Sequence, residues 1–241
     1  MKNTFKILTL IAFTIAITCT SCSSNNQEDA IFEREQLSEV VMKDFVQKFE
    51  NTNVPEGLSN STSPYAQQAN TQFELLKIIG VSFTSFFTIP SDAVFLKSNE
   101  KQLAKSAVLN TQTYTWSAGG ESVTYTISEE SDRYTFNYTI VSSDFNGKVM
   151  EGFQLKDETY AEVNLFDDNQ ESSTIKWWVN ATTTKIELDA DGFRLVLESN
   201  STDNSGTIQV YEDALYIALY SWEADGSGFY TDLVSNETFT W

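Results

Sequence analysis

Glu187, Asp189, Asp191, Gly192 and Glu198 fall at positions 1, 3, 5, 6 and 12 of a twelve-residue calcium-binding loop. Carboxylates at alternate residues suit an oxygen-seeking cation, and a glycine at the sixth position makes the sharp turn. Two departures weigh against calcium. Glu187 stands where Asp is nearly required, and Arg194 takes the usual apolar place at position 8. The flanks, Ile186 and Leu188 on one side and Phe193, Leu195 and Leu197 on the other, alternate as strands do. Asp189-Ala190-Asp191-Gly192 then reads as a hairpin turn, and no metal or other cofactor is expected.

Nucleophilic chemistry fares no better. Ser98-Asn99-Glu100-Lys101 and Ser173-Thr174-Ile175-Lys176 have the S-x-x-K spacing of the penicillin-binding enzymes, without that family's further motifs. The chain has no histidine, which excludes Ser-His-Asp and Cys-His arrangements and imidazole metal ligands. General acid–base work at neutral pH would fall to carboxylates or lysines with strongly shifted pKa values. A glycosidase would need two facing carboxylates, and no pair stands out among the 34 acidic residues. Catalysis is not expected.

The remaining candidates are aromatic. In the C-terminal half Trp178, Tyr211, Tyr216, Tyr220 and Trp222 fall off the main apolar alternation, so they are the candidate ligand-binding residues. The elements that must position them follow from periodicity. Leu37, Val41, Phe45 and Phe49, with Met42 and Val46 beside them, predict an amphipathic helix from Asp29 to about Asn51. Asn53 to Pro64 reads as a linker. Ala69, Phe73, Leu76, Ile79, Phe83 and Phe87 predict a second helix from Tyr65 to about Phe87, with Gly80 as a weak point and Pro90 as its stop.

From about residue 110 to 241 the period changes from 3.6 to 2. Val123, Tyr125 and Ile127 alternate with Thr124, Thr126 and Ser128, and Tyr134, Phe136, Tyr138 and Ile140 with Thr135, Asn137 and Thr139. Turn signals such as Gly119-Gly120, Asp191-Gly192 and Asp225-Gly226 recur at short intervals, so about 10–12 antiparallel strands are expected in a meander. Later strands are apolar on both faces: Ile175, Trp177 and Val179 oppose Trp178, and Leu215, Ile217 and Leu219 oppose Tyr216, Tyr220 and Trp222. The helices are expected to cover this second face, unless it is an open aromatic surface or a cavity. The predicted fold is mainly β: a large curved antiparallel meander sheet or partly closed barrel covered by two N-terminal helices.

The N-terminus supplies an address. Lys2 and Lys6 precede an apolar run, Ile7 to Ile17, that is too short to span a bilayer, and Thr18-Cys19-Thr20-Ser21 leads to Cys22. This resembles the lipobox of bacterial lipoproteins, with Cys19 where that family prefers Leu. The Ser/Asn run after Cys22 is similar to lipoproteins of the Bacteroidota type. The resemblance implies acylation at Cys22, a signal peptide over residues 1–21, a polar tether over 22–30, and a single globular domain over 31–241. Each buried methylene of an acyl chain contributes about 0.8 kcal/mol, so several chains hold where one would not. The protein is therefore expected to be exported and lipid-anchored to a bacterial membrane, the outer membrane, with its facing side left open. Both cysteines belong to this region, so the body is expected to hold together without thiols or disulfides.

A formal charge of −19 repels phosphate backbones, so nucleic acid is an unsuitable partner. The function expected is a non-enzymatic, membrane-anchored binding or structural lipoprotein, with a small apolar or carbohydrate ligand or a protein partner. The alternative is a carrier of an apolar ligand, held in a cup between helices and sheet. That outline is similar to the periplasmic lipoprotein-carrier family, on architecture alone.

Overall fold

Period-2 alternation over the last 130 or so residues gives each segment one face of Thr, Ser, Asn and Glu and one of apolar and aromatic residues, which makes half-buried strands. A computed structural model describes residues 37–82, 84–96 and 110–241. Cys22, the start of the first expected helix, Phe83 and the Ser98–Lys101 motif lie outside the described residues. Among the described residues thirteen strands pair in chain order, each antiparallel to the next. They are β1 (Val94–Leu96), β2 (Asn110–Ala118), β3 (Glu121–Glu129), β4 (Arg133–Val141), β5 (Asn146–Leu155), β6 (Tyr160–Asp167) and β7 (Gln170–Val179). There follow β8 (Thr183–Ala190), β9 (Phe193–Asn200), β10 (Gly206–Glu212), β11 (Leu215–Trp222), β12 (Gly228–Asp232) and β13 (Glu237–Thr240). The sheet is open, with β1 and β13 at its two edges, so the partly closed barrel gives way to the curved meander.

The first helical stripe is interrupted within the described residues. The first is α1 (Leu37–Val40) and α2 (Lys43–Glu50), separated at Met42, which has a left-handed φ of 63°. The break has a cause in the sheet. The buried amide of Gln154 accepts the Met42 N–H, and that of Gln112 accepts the Leu37 N–H at 3.0 Å. Two glutamines on the apolar face thus satisfy helix-end donors that burial would otherwise leave unpaired. The expected linker contains one turn of helix, α3 (Glu56–Ser59), pinned by the fully buried Leu58. Gly226, at φ 86°, lets the β11–β12 loop close on it, because a Cβ there would lie 2.2 Å from the Leu58 nitrogen.

The second helix is α4 (Pro64–Ser82) and α5 (Thr84–Phe87), with Pro64 at the first helical position, where a missing N–H costs nothing. Gly80 is where α4 meets α2: a Cβ there would press into the Phe49 ring. Tyr65, at the start of α4, stacks on Tyr230 of β12 and Phe239 of β13. Phe87, at the end of α5, packs edge-on against Tyr125 of β3 and Phe136 of β4. Even a continuous helix from Tyr65 to Phe87 would be only ~33 Å long, whereas crossing nine strand spacings of a flat sheet takes ~43 Å. The sheet must therefore curl around its helices.

One contiguous core results. Val41, Met42, Phe45, Phe49, Phe73 and Leu76 of the helices join Ile127, Met150, Val163, Ile175, Trp177, Ile186 and Leu197 of the sheet. The helices thus cover the main apolar face together with Tyr220 and Trp222 of the expected second face, whereas Trp178, Tyr211 and Tyr216 lie on the opposite face. Ile208 pairs with Tyr220 and Gln209 with Leu219, so Ala218, Tyr220 and Trp222 point into the core and Leu219 points out. A register shift between Val210 and Tyr211 then puts Tyr216 beside Tyr211 and off the face of Tyr220. Among the described residues no helix is long and apolar enough to cross a membrane.

Candidate functional site on the open face

The uncovered face of the sheet changes character halfway across. On β2 to β4 it presents Thr113, Thr115, Thr124, Thr126, Ser128, Thr135, Asn137 and Thr139, all short. From β5 onward the same face carries Glu151, Phe153, Tyr160, Glu162, Lys176, Trp178 and Lys185. The step between short and long side chains leaves an open groove of about 470 Å³. Thr126, Ser128, Thr135 and Asn137 line its short-chain side, Glu151, Phe153, Glu162 and Asn164 its long-chain side, with Glu130 and Arg133 also in the lining.

Hydrogen bonds fix these groups. The hydroxyls of Thr111 and Ser128, and of Thr113 and Thr126, pair across strands at 3.1 Å. The Tyr160 hydroxyl donates to Glu162 Oε2 at 2.5 Å, and Lys148 pairs with Glu151. Partial burial, followed by the Glu162 carboxylate, raises the Tyr160 pKa well above the ordinary phenol value, so the phenol stays a donor. The Arg133 guanidinium lies 4.9 Å from the Phe153 ring centroid. Phe153, Tyr160 and Trp178 form a row of tilted rings 5.6 and 5.2 Å apart, and Lys185 caps it 4.4 Å from Trp178. Each contact of this kind contributes about 0.5–1 kcal/mol on an exposed face.

The five aromatic residues singled out in the sequence divide between the faces. Trp178 stands in the row beside the groove. Tyr211 is sandwiched between Arg194, 3.8 Å from its ring centroid, and Tyr216, stacked at 4.9 Å. Tyr220 and Trp222 are core residues: the Tyr220 hydroxyl donates to Gln68 Oε1 at 3.1 Å, and the Trp222 indole donates to the Asn204 carbonyl at 2.8 Å. The acidic loop is a two-residue hairpin turn, with Asp191 and Gly192 at positive φ. Glu187 faces Lys176 at 3.8 Å, Asp189 pairs in register with Arg194, and Glu198 with Lys185. Among the described residues no three His, Cys, Asp or Glu side chains are grouped to hold a metal ion. The second S-x-x-K match is undone by parity, because Ser173 points into the core and Lys176 outward.

The groove was not among the sequence candidates. Its signal is nonetheless in the sequence: apart from Arg133, the central open-face positions of β2 to β4 are Thr, Ser or Asn, and β5 and β6 bring in Glu151, Phe153, Tyr160 and Glu162. No protein-family model matches the chain, and no curated protein matches it at a meaningful level of similarity.

Proposed function

We propose that this chain is a lipid-anchored, non-enzymatic binding lipoprotein of a bacterial outer membrane, and that the open face of its sheet is the binding face. The observation that carries the reading is the division of labour between the faces. Helices fill one face, while the other keeps a polar groove bordered by fixed aromatic and charged side chains. A domain that only filled space beside a membrane would not need such a step. The groove carboxylates support binding over catalysis. Glu151 and Glu162 lie diagonally on neighbouring strands, Glu151 opposite Asn164 and Glu162 opposite Phe153, and each is already engaged by a near neighbour.

The anchor is tested by cell fractionation. The native chain is expected in the membrane fraction and the Cys22→Ser chain in the soluble fraction; retention of Cys22→Ser on membranes would refute the tether. The non-enzymatic part is tested by incubating the protein with oligosaccharides, where release of new reducing ends would overturn it.

A further inference from the structure

We infer that the groove over β3–β6 binds a neutral oligosaccharide laid across the strands; this rests on the open face being the binding face. The lining decides the ligand class. Three hydroxyls (Thr126, Ser128, Thr135) and two amides (Asn137, Asn164) both donate and accept, as sugar hydroxyls do. The Glu130, Glu151 and Glu162 carboxylates accept only, and the Arg133 guanidinium donates only. A polyol can satisfy such a mixture, whereas an apolar ligand would strip these groups of water without replacing their bonds.

Charge narrows the choice further. Lys148 offsets Glu151, but Glu130 and Glu162 against Arg133 keep the groove net negative, and the whole chain is at −19, so phosphorylated, sulfated or uronate-rich ligands are repelled. Phe153 supplies an apolar wall for the C–H surface of a pyranose, held in place by Arg133. A volume of about 470 Å³ lies within the range of small-ligand sites, roughly 300–1,000 Å³. The hydroxyl floor continues past the groove as the paired Thr113 and Thr126 and then Thr115 and Thr124, so a chain of sugars has somewhere to run.

Affinity electrophoresis of the full chain in zwitterionic detergent tests this, with gels containing glucan, xylan, mannan or soluble chitin oligomers, and with alginate as the anionic comparator. At least one neutral glycan is expected to retard the protein. Thr135→Tyr, which fills the groove from an exposed-face position, and Glu162→Gln, which keeps the fold and removes one acceptor, are each expected to weaken that retardation at least about tenfold. Retardation by a neutral glycan that both variants leave intact would overturn the site. Retardation by alginate alone, abolished by Thr135→Tyr, would overturn the neutral-glycan class and leave the open face standing. No retardation by any of these polymers would overturn the glycan class outright.

Discussion

Trp177 and Trp178 are neighbours on β7, yet one is sealed against the helices and the other stands on the open face between Tyr160 and Lys185. Their partners differ in kind. The core face is held by burial, with single hydrogen bonds from Gln112 and Gln154 docking the helix ends. The open face is held by cross-strand pairs: hydroxyl to hydroxyl, carboxylate to lysine, cation to ring. Such pairs fix side chains in place while contributing little each, roughly 0.2–1 kcal/mol. A face organised this way can be altered without unfolding the protein, which is what a binding face requires.

The two tryptophans should separate the faces most sharply. Trp177→Ala should cost about 3–5 kcal/mol by emptying the core, and Trp178→Ala only about 1 kcal/mol; urea unfolding of the two variants measures both. Comparable losses would erase the distinction between the faces. Next in size is Gln154→Leu, which leaves the buried Met42 N–H without its acceptor and should cost about 1–3 kcal/mol. The matching change at the open face, Gln209→Leu, should be nearly silent.

A smaller effect of opposite sign is expected at Tyr125. Its hydroxyl is buried with no hydrogen-bond partner among the described residues, and burial, with Tyr114 and Tyr138 nearby, pushes its pKa well up. Tyr125→Phe removes an unsatisfied group and should leave the thermal midpoint unchanged or raise it. Tyr220 is likewise pushed up, to about 12, chiefly by burial. For such groups the folded pKa exceeds the unfolded one. Their stabilisation is complete below the ordinary value of 10.0 and is lost as pH rises from there toward about 12. At the acid end the exposed turn aspartates have lowered pKa values: Asp157, Asp203 and Asp225 through the hydroxyls of Thr159, Ser205 and Ser227. Stability from these is present above the ordinary 3.8 and fades as pH falls through the lower folded values. Thermal melts across pH should therefore show a neutral plateau with a decline at each end.

Most of the sheet was legible because a period of 2 fixes which residues share a face. Val123, Tyr125 and Ile127 are buried on one side and Thr124 and Thr126 stand on the other, as their alternation predicts. The helix stripes were legible for the same reason, with Leu37, Val41, Phe45 and Phe49 all buried. The break at Met42 was not, because its cause is Gln154, 112 residues away in the chain. The choice of face on β11 was not, because both of its faces are apolar and only pairing with Ile208 sends Tyr220 inward. The groove was not legible because it is a difference in side-chain length between adjacent strands and contains no motif.

The sheet keeps one face closed by helices and leaves the other uncovered, and this division can be checked residue by residue. Two adjacent residues of β6 test it most directly: Val163, fully buried in the core, and Asn164, in the groove lining. Val163→Cys and Asn164→Cys are each placed in the full chain with Cys19 and Cys22 changed to Ser, and exposed to a water-soluble maleimide. Asn164→Cys should label in the native protein as fast as in denaturant, and Val163→Cys only after denaturation. Protection of Asn164→Cys in the native protein would contradict the account, because it would mean that the open face is already covered.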